Sequence, residues 1–365
     1  MKPYAIFRLV FCIAVLGLQV SASITYGQDS TANSMKAHFI NVGQADATLL
    51  EFPCGAILID AGAQDSTAQT TLIQYLQHFF ARRTDLHNTL DLVVISHDHV
   101  DHDITLPRVA QTFTIKHYID NGHTNANDSG EPMQANMEQY AQQHGIPYEN
   151  FSFEQIAAGG NRQGLTDSVI EPLHCAVISP QITVLSGRFA SKPAGWYSSD
   201  YSNENNHSLV IRVQFGKASF LFSGDLETAG DNQLVTWYGN NALLDVDVWK
   251  VSHHAAVNGT SATLLAAITP QYAVIHCGQW NYGMGPPVQT FSTYAYGHPR
   301  ITTLDALQQS IPGNRPQAIT VKAASAQYTF SDYTVTKNIY ATAWDGNVTI
   351  QATSSGTYTV VTNDQ

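Results

Sequence analysis

The chain has 365 residues, 44% hydrophobic and 13% charged, a balance that excludes a disordered chain, a coiled coil and a collagen-like fibre and leaves ample material for a hydrophobic core. Acidic residues outnumber basic ones 29 to 17, giving a formal charge of −12 without any lysine- or arginine-rich tract. Broad electrostatic gripping of extended nucleic acid or of an anionic membrane is therefore not expected.

Residues 1–22 read as a secretory signal peptide: Lys2 and Arg8 supply positive charge, Val10 to Leu18 form a short apolar stretch, and Val20-Ser21-Ala22 offers small residues for cleavage, with a later site near Gly27. The expected location is secreted or periplasmic. Removal takes Lys2 and Arg8 and no acid, so −12 becomes −14. No later run is long and apolar enough to span a membrane. Cys12 leaves with the signal; Cys54, Cys175 and Cys277 remain. Export permits a disulfide, but all three lie in apolar contexts and read as small buried core residues, with any pairing left open.

In chain order, Ala37–Val42, Thr48–Phe52 and Ala56–Ile59 read as strands, the last two joined by the turn Pro53-Cys54-Gly55. Leu72, Tyr75, Leu76, Phe79 and Phe80 recur at helical spacing within 65–82. Leu92–Ile95 is a short apolar run of the kind found in a strand buried on both faces. Helical segments are expected around 131–145 and 226–238, and strands at 175–179, 208–214, 218–222, 246–251 and 272–276. Helices interleaved with buried strands predict a layered α/β domain over 36–317. From about 318 the chain turns rich in Thr, Val, Tyr and Ala, predicting a short terminal β element, 318–365, packed on that domain.

The strongest chemical signal follows the 92–95 strand. Ser96-His97-Asp98-His99-Val100-Asp101-His102-Asp103 places His97, His99, Asp101 and His102 within six residues. Imidazole and carboxylate donors at a strand end suit a zinc-like divalent ion, and the alternating side chains can serve two ions. This H-x-H-x-D-H pattern resembles the metallo-β-lactamase superfamily, and several further stretches resemble its ComEC-type hydrolase branch. They are His38 to Ala47 around Val42-Gly43-Gln44-Ala45-Asp46, Ile57-Leu58-Ile59-Asp60-Ala61-Gly62, Asn205-Asn206-His207-Ser208-Leu209-Val210, Phe220-Leu221-Phe222-Ser223-Gly224-Asp225, Lys250-Val251-Ser252-His253-His254, and Tyr296-Gly297-His298-Pro299. Asn41 and Ala45 depart from the branch's usual Asp and Gly, and Ala255-Ala256 from its usual Gly-Ser.

The resemblance implies a four-layer αββα sandwich and an enzyme with two divalent ions, expected as Zn²⁺ with Mn²⁺ or Fe²⁺ as alternatives. His97, His99, Asp101 and His102 would bind them, with Asp225 bridging. Neighbouring residues on a strand face opposite ways, so one of His253 and His254 would ligate: His253 is assigned to the metal and His254 to proton transfer, the reverse remaining open. His207 is a candidate to complete one shell, with Asn205 or Asn206 lining the site as the alternative, and His276 a further candidate. His298 would suit proton donation, and Asp60 would orient a ligand histidine. His117 and His174 read as structural. The implied reaction is hydrolysis by a metal-bridged hydroxide held by Asp101 as well as by the ions, acting on a phosphodiester; a carboxylic ester, lactone or β-lactam hydrolase and a non-catalytic binding protein are the rival readings. The charge of the chain favours a small phosphoester over a polymer. Trp196, Tyr197, Tyr201, Trp280 and Tyr282 are candidates for a substrate rim.

Overall fold

A computed structural model describes residues 33–122, 131–239 and 241–363. The expected signal peptide, with Cys12, lies outside the described residues. Among the described residues no helix is long and apolar enough to cross a membrane.

Two sheets face each other. The first has eight strands in the order Tyr358–Thr362, Val348–Thr353, Ser34–Phe39, Thr48–Phe52, Gly55–Ile59, Leu92–Val94, Tyr118–Asp120 and Tyr148–Asn150. The second has six: Ile339–Ala341, Tyr272–Ile275, Val248–Lys250, Ala218–Phe222, Val210–Phe215 and Gln181–Ser186. The period-two alternation of side chains decides which residues go where. Phe39, Leu50, Ile57 and Val94 from the first sheet meet Val213, Phe220, Val248 and Val274 from the second in the central core. The opposite faces of the same strands, through Leu49, Leu58 and Val93, pack on Leu72, Leu76 and Phe79 of the helix Ser66–Arg82 and on Leu106 and Val109 of the helix Leu106–Thr112. On the far side Leu221, Trp249 and Ala273 pack on Leu234, Leu264 and Leu304, from the helices Thr228–Tyr238, Ala262–Ile268 and Ile301–Ser310. The layers are therefore α, β, β, α, each sheet buried on both faces as the continuous apolar runs require. The helix Ser66–Arg82 starts where Asp65 accepts a hydrogen bond from the Ala68 N–H at 2.9 Å.

Three sequence expectations change. Residues 175–179 form no strand; the strand of that region is Gln181–Ser186, and the apolar run before it is held instead by a disulfide between Cys54 and Cys175, with Val177 64% exposed. That disulfide also corrects the reading of those two cysteines as plain core residues; among the described residues Cys277 is the buried, free cysteine. Lastly, the tail is woven into the sandwich. A boundary at 318 falls inside the strand Asn314–Ala326, which forms a ribbon with Thr329–Lys337. Ile339–Ala341 then pairs in parallel with Tyr272–Ile275, and Val348–Thr353 pairs with Ser34–Phe39. The tail thus closes one sheet and extends the other.

The strands that matter for chemistry end together. Gly55–Ile59 runs parallel to Leu92–Val94, and Ala218–Phe222, Val248–Lys250 and Tyr272–Ile275 run parallel to one another. Asp60, His97, Asp225, His254 and His276 follow the C-terminal ends of these five strands.

Candidate metal centre

The Leu92–Val94 strand runs into His97 and His99, and a one-turn helix, Val100–Asp103, then presents Asp101 and His102. Gly62 lies against this turn: a Cβ there would stand 1.7 Å from the Asp101 carbonyl oxygen, so only glycine lets the two segments meet. The Asp46 N–H donates to the Asp101 carbonyl at 2.8 Å and the Ala61 N–H to that of His102 at 2.7 Å. These backbone bonds fix the ligand loop without using a ligand side chain.

Asp101, His102, Asp225 and His254 bring one donor atom each to within 4.8 Å of one another. Their orientations are set from behind. The His102 Nδ1–H donates to Asp60 Oδ2 at 2.9 Å, and Asp60 Oδ1 also accepts from the Ser96 N–H at 2.7 Å. The His254 Nδ1–H donates to the His276 carbonyl at 2.9 Å. Each ring therefore turns its Nε2 lone pair to the centre, as second-layer partners do for metal-binding histidines. His102 Nε2 lies 3.3 Å from Asp225 Oδ1, and neither atom has a hydrogen-bond partner. His254 Nε2 lies 3.2 Å from Asp101 Oδ2 and 3.3 Å from Asp225 Oδ2. Lone pairs facing carboxylates across a buried gap are what a cation would join, so the residues present fit a bound metal ion.

The electrostatics agree. Burial opposes charge on His254, yet Asp225 and Asp46 beside it, with the hydrogen bonds that Asp101 and Asp225 accept from the ring, raise its pKa to about 10. His102 is likewise raised well above the usual value against burial, by Asp225, Asp60 and Asp46. Burial pushes the Asp225 carboxyl up, but His254 and His102 hold it well below the ordinary range. Protons on the imidazoles stand where a metal ion would. Among the described residues one fixed cation enters: buried Lys250 pairs with Asp46, lies 3.6 Å from Asp225 and donates to the Gly224 carbonyl at 2.9 Å. Four carboxylates (Asp46, Asp60, Asp101 and Asp225) stand against one ammonium, and the protons on His102 and His254 offset two of the three negative charges that remain.

His97 and His99 form a second, smaller donor pair. His97 Nε2 is 3.0 Å from His99 Nδ1, while His97 Nδ1 lies 3.1 Å from the Ser96 hydroxyl. His97 is fully buried and its pKa is pushed well down, first by burial and then by the nearby His102 and His99. A neutral ring of this kind is the form that ligates.

The structure changes two assignments. Of the histidine pair, His254 and not His253 joins the donor group. The strand ends at Lys250, and His253, His254 and Ala255 all adopt left-handed backbone, with φ of 49°, 51° and 60°. The alternation of a strand thus does not apply, and the strained turn aims His254 inward. His253 instead lies 3.4 Å from both Glu227 and Asn205 on the cavity wall. His207 also lies outside the donor group: its Nδ1 accepts from the Phe189 N–H at 3.0 Å and its Nε2–H donates to the Tyr201 carbonyl at 2.7 Å. Both nitrogens are committed to backbone. The His276 ring is 3.1 Å from the Thr48 hydroxyl and falls outside the donor group; its carbonyl, rather than its ring, serves the centre.

The centre opens into a cavity of about 290 Å³ lined by His99, Asp101, Asp225, His253, His254, Gln44, Gln64, Asn205, Tyr282, Phe291, Tyr296 and His298 among others. Of the five aromatic rim candidates only Tyr282 reaches it. Trp196 packs on Phe189, and Trp280 packs at a tilt against Phe330. Sequence reasoning placed Asp46, Lys250 and Tyr296 within the resembling motifs without giving them a role, and did not name Phe291. The pairing of Asp46 with Lys250 spans more than 200 residues, and its local trace is a lysine flanked by the apolar Val248, Trp249 and Val251.

A family model of the metallo-beta-lactamase superfamily matches residues 40–279. The chain belongs to that superfamily. Among relatives, Recombination protein 2 of Haemophilus influenzae is 26% identical over 245 residues, covering 66% of this chain and 24% of its own length. ComE operon protein 3 of Bacillus subtilis is 24% identical over 287 residues, covering 74% and 30%. Competence protein ComA of Neisseria gonorrhoeae is 39% identical over 79 residues, covering 22% and 11%. These are ComEC-type proteins, in keeping with the order of motifs, and the chain spans less than a third of the length of each. Among solved structures, the metallo-beta-lactamase fold protein YhfI of Bacillus subtilis aligns with a TM-score of 0.36 at 14% identity, over 66% of this chain and 85% of its own. CmlA, a diiron beta-hydroxylase from Streptomyces venezuelae, aligns with a TM-score of 0.43 at 16% identity, over 75% and 50%.

Proposed function

We propose that this superfamily member is an exported hydrolase that uses two divalent metal ions, of which zinc is the expected kind, to cleave small phosphodiesters. One observation carries the reading: two inward Nε2 lone pairs, His102 and His254, face Asp101 and Asp225 at the floor of an open cavity. When bound, the metal ions supply Lewis acidity and an activated water. The balanced reaction adds one water across a P–O ester bond and releases a phosphomonoester and an alcohol.

The chain's own groups supply the rest. Asp60, Ser96 and the His276 carbonyl hold the ligand rings in place. Lys250 holds Asp46 and steadies the segment of Gly224 and Asp225. Gln44 Oε1 accepts from the Gly278 N–H at 3.2 Å, which directs its amide Nε2 to donate to His298 Nδ1 at 3.3 Å. The neutral His298 ring then carries its proton on Nε2, ready for a leaving oxygen. Burial, then the nearby His253 and His254, keeps that ring's pKa well below the ordinary value.

Export is supported by the N-terminal signal pattern and by the Cys54–Cys175 disulfide, a feature of oxidising compartments. A phosphodiester substrate is supported by likeness to proteins named for recombination and competence, and a small one by the formal charge of −12. The test is turnover of phosphomonoesters, phosphodiesters, carboxylic esters and nitrocefin by metal-loaded wild type and Asp101→Ala, alongside metal analysis. Phosphodiester cleavage lost in the variant is the expected result. Equal activity in both proteins, or cleavage confined to nitrocefin or carboxylic esters, overturns it.

A further inference from the structure

We infer that the outer half of the cavity is a ring-binding subsite, so that the substrate is a singly charged phosphodiester bearing an uncharged planar group stacked on Phe291 beside Tyr282 and Tyr296. This rests on the phosphodiesterase reading of the same site and adds what flanks the scissile group.

The first argument is charge. No lysine or arginine is among the described residues that line the cavity, whereas Asp101 and Asp225 are. Lys250, the cation nearest the centre, is buried and tied to Asp46. A second phosphate on the substrate would meet only neutral amides, imidazoles and aromatic rings. A polyanion is poorly served by such a wall, because phosphate-tracking surfaces rely on Lys and Arg.

The second argument is the aromatic wall. Phe291 lines the cavity while 78% exposed, an unusual state for so large an apolar side chain, and one that a covering group would relieve. Its ring meets that of Tyr296 at 6.5 Å and 68°. Tyr296 in turn stacks on His298 at 5.6 Å and 21°, and His298 on His254 at 6.2 Å and 20°. A column of near-parallel rings, His254, His298 and Tyr296, therefore leads outward from the donor group and ends edge-to-face against Phe291 at the rim. Tyr282 is fixed to the wall by its hydroxyl, which donates to the Gln64 carbonyl at 3.2 Å.

The third argument is preorganisation. The segment bearing Phe291 is closed on itself: the Gln289 N–H donates to the Gly283 carbonyl at 3.1 Å and the Ser292 hydroxyl to the Gln289 carbonyl at 2.8 Å. Ser292 also caps the one-turn helix Thr293–Tyr296 through the Ala295 N–H. Phe291 is thus held at the rim before any ligand arrives, which lowers the ordering cost of binding. At about 290 Å³ the cavity sits at the small end for ligand sites, sized for one ring and one phosphate rather than a polymer.

The experiment compares phenyl p-nitrophenyl phosphate with methyl p-nitrophenyl phosphate on the metal-loaded full chain. Both release the same leaving group, so the kcat/KM ratio between them, compared across variants, isolates the other substituent. Binding of phenylphosphonate and methylphosphonate is measured in parallel by calorimetry; this pair contains no leaving-group ring and decides any disagreement between the two arms. Phe291→Ala is expected to lower the phenyl preference about tenfold, the scale of one aromatic stacking contact, and Phe291→Trp to restore it. An unchanged ratio in Phe291→Ala, with phenylphosphonate binding no tighter than methylphosphonate in wild type, overturns the subsite. Absence of turnover on both diesters defeats the hydrolase reading instead. In that case the phosphonates decide: a phenyl preference lost in Phe291→Ala sustains the subsite, and no preference overturns it.

Discussion

The two ends of the Thr48–Phe52 strand are built on opposite terms. At one end Asp46 enters a buried group of carboxylates and imidazoles in which His102 Nε2 and Asp225 Oδ1 lack hydrogen-bond partners, and the backbone at Asp60, His253 and His254 is left-handed. At the other end the charges are matched. Glu51 pairs with Lys36 at 3.2 Å and Arg83 at 2.9 Å, the Arg83 guanidinium also donates to the Phe52 and Pro53 carbonyls, and the next turn is stapled by Cys54–Cys175. One end concentrates unpaired charge and strain and the other relieves both. That division is expected where a site is held ready for a ligand and the cost is met elsewhere in the fold.

The division is broken most severely at the site end. Asp225→Asn or His254→Ala is expected to lower hydrolysis by about 10³-fold or more, the scale for losing an essential group, and to reduce bound metal. In chelator, by contrast, Asp225→Asn is expected to lower the urea midpoint far less than it lowers activity, because the amide keeps the shape of the carboxylate and only its pairing with the His102 and His254 imidazoles is lost. Loss of stability in chelator that matches the loss of activity would show that these residues hold the fold together, and the comparison would fail.

The far end should behave the other way. The Cys54–Cys175 bridge closes a sequence separation of 121 residues, for which chain entropy gives a stabilisation of about 4–5 kcal/mol. Reduction, or Cys54→Ser with Cys175→Ser, is expected to lower the urea midpoint by a matching amount while the folded protein keeps its metal content and kcat/KM. A fall in metal content at denaturant concentrations where both forms are folded would couple the two ends.

How much of this was legible in the sequence follows the same split. The H-x-H-x-D-H cluster is local, and its spacing alone placed His97, His99, Asp101 and His102 at a strand end. Asp225 and the double histidine came only through resemblance, since nothing local links them to residue 97. The choice between His253 and His254 could not be read, because it turns on three consecutive left-handed residues where a strand was expected. His207 misled for a related reason: the turn Glu204–His207 directs its ring to the Phe189 and Tyr201 backbone instead of the centre. The disulfide and the pairing of Val348–Thr353 with Ser34–Phe39 are long-range events that leave no periodic trace.

A smaller effect at the far end is set by pH. Burial raises the Glu51 pKa, but the hydrogen bond from His38, the charges of Lys36 and His38 and the hydrogen bond from Arg83 outweigh it and bring the value from 4.5 to about 2. A depressed folded pKa contributes stability that is present above pH 4.5 and lost as the pH falls toward 2. The contribution is of order 3 kcal/mol, and Glu51→Gln should flatten that part of the stability profile. An unaltered acid limb in the variant would move the acid sensitivity to another group.

A further effect tests where the two regions divide, because His207 lies close to the site in sequence motif but belongs to the scaffold in its bonding. His207→Ala leaves the Phe189 N–H and the Tyr201 carbonyl without their partner, at a cost of about 1–3 kcal/mol for each group that stays buried and unsatisfied. A lower urea midpoint with unchanged metal stoichiometry is therefore expected. The same titration should show the metal ions entering unequally in wild type, the tighter one at Asp101, His102, Asp225 and His254, since the His97–His99 pair has fewer donors and the ring that would have been its third is held elsewhere. If His207→Ala instead removes one equivalent of metal, the His207 ring rotates away from Tyr201 when metal binds, and the boundary between site and scaffold has to be moved to include it.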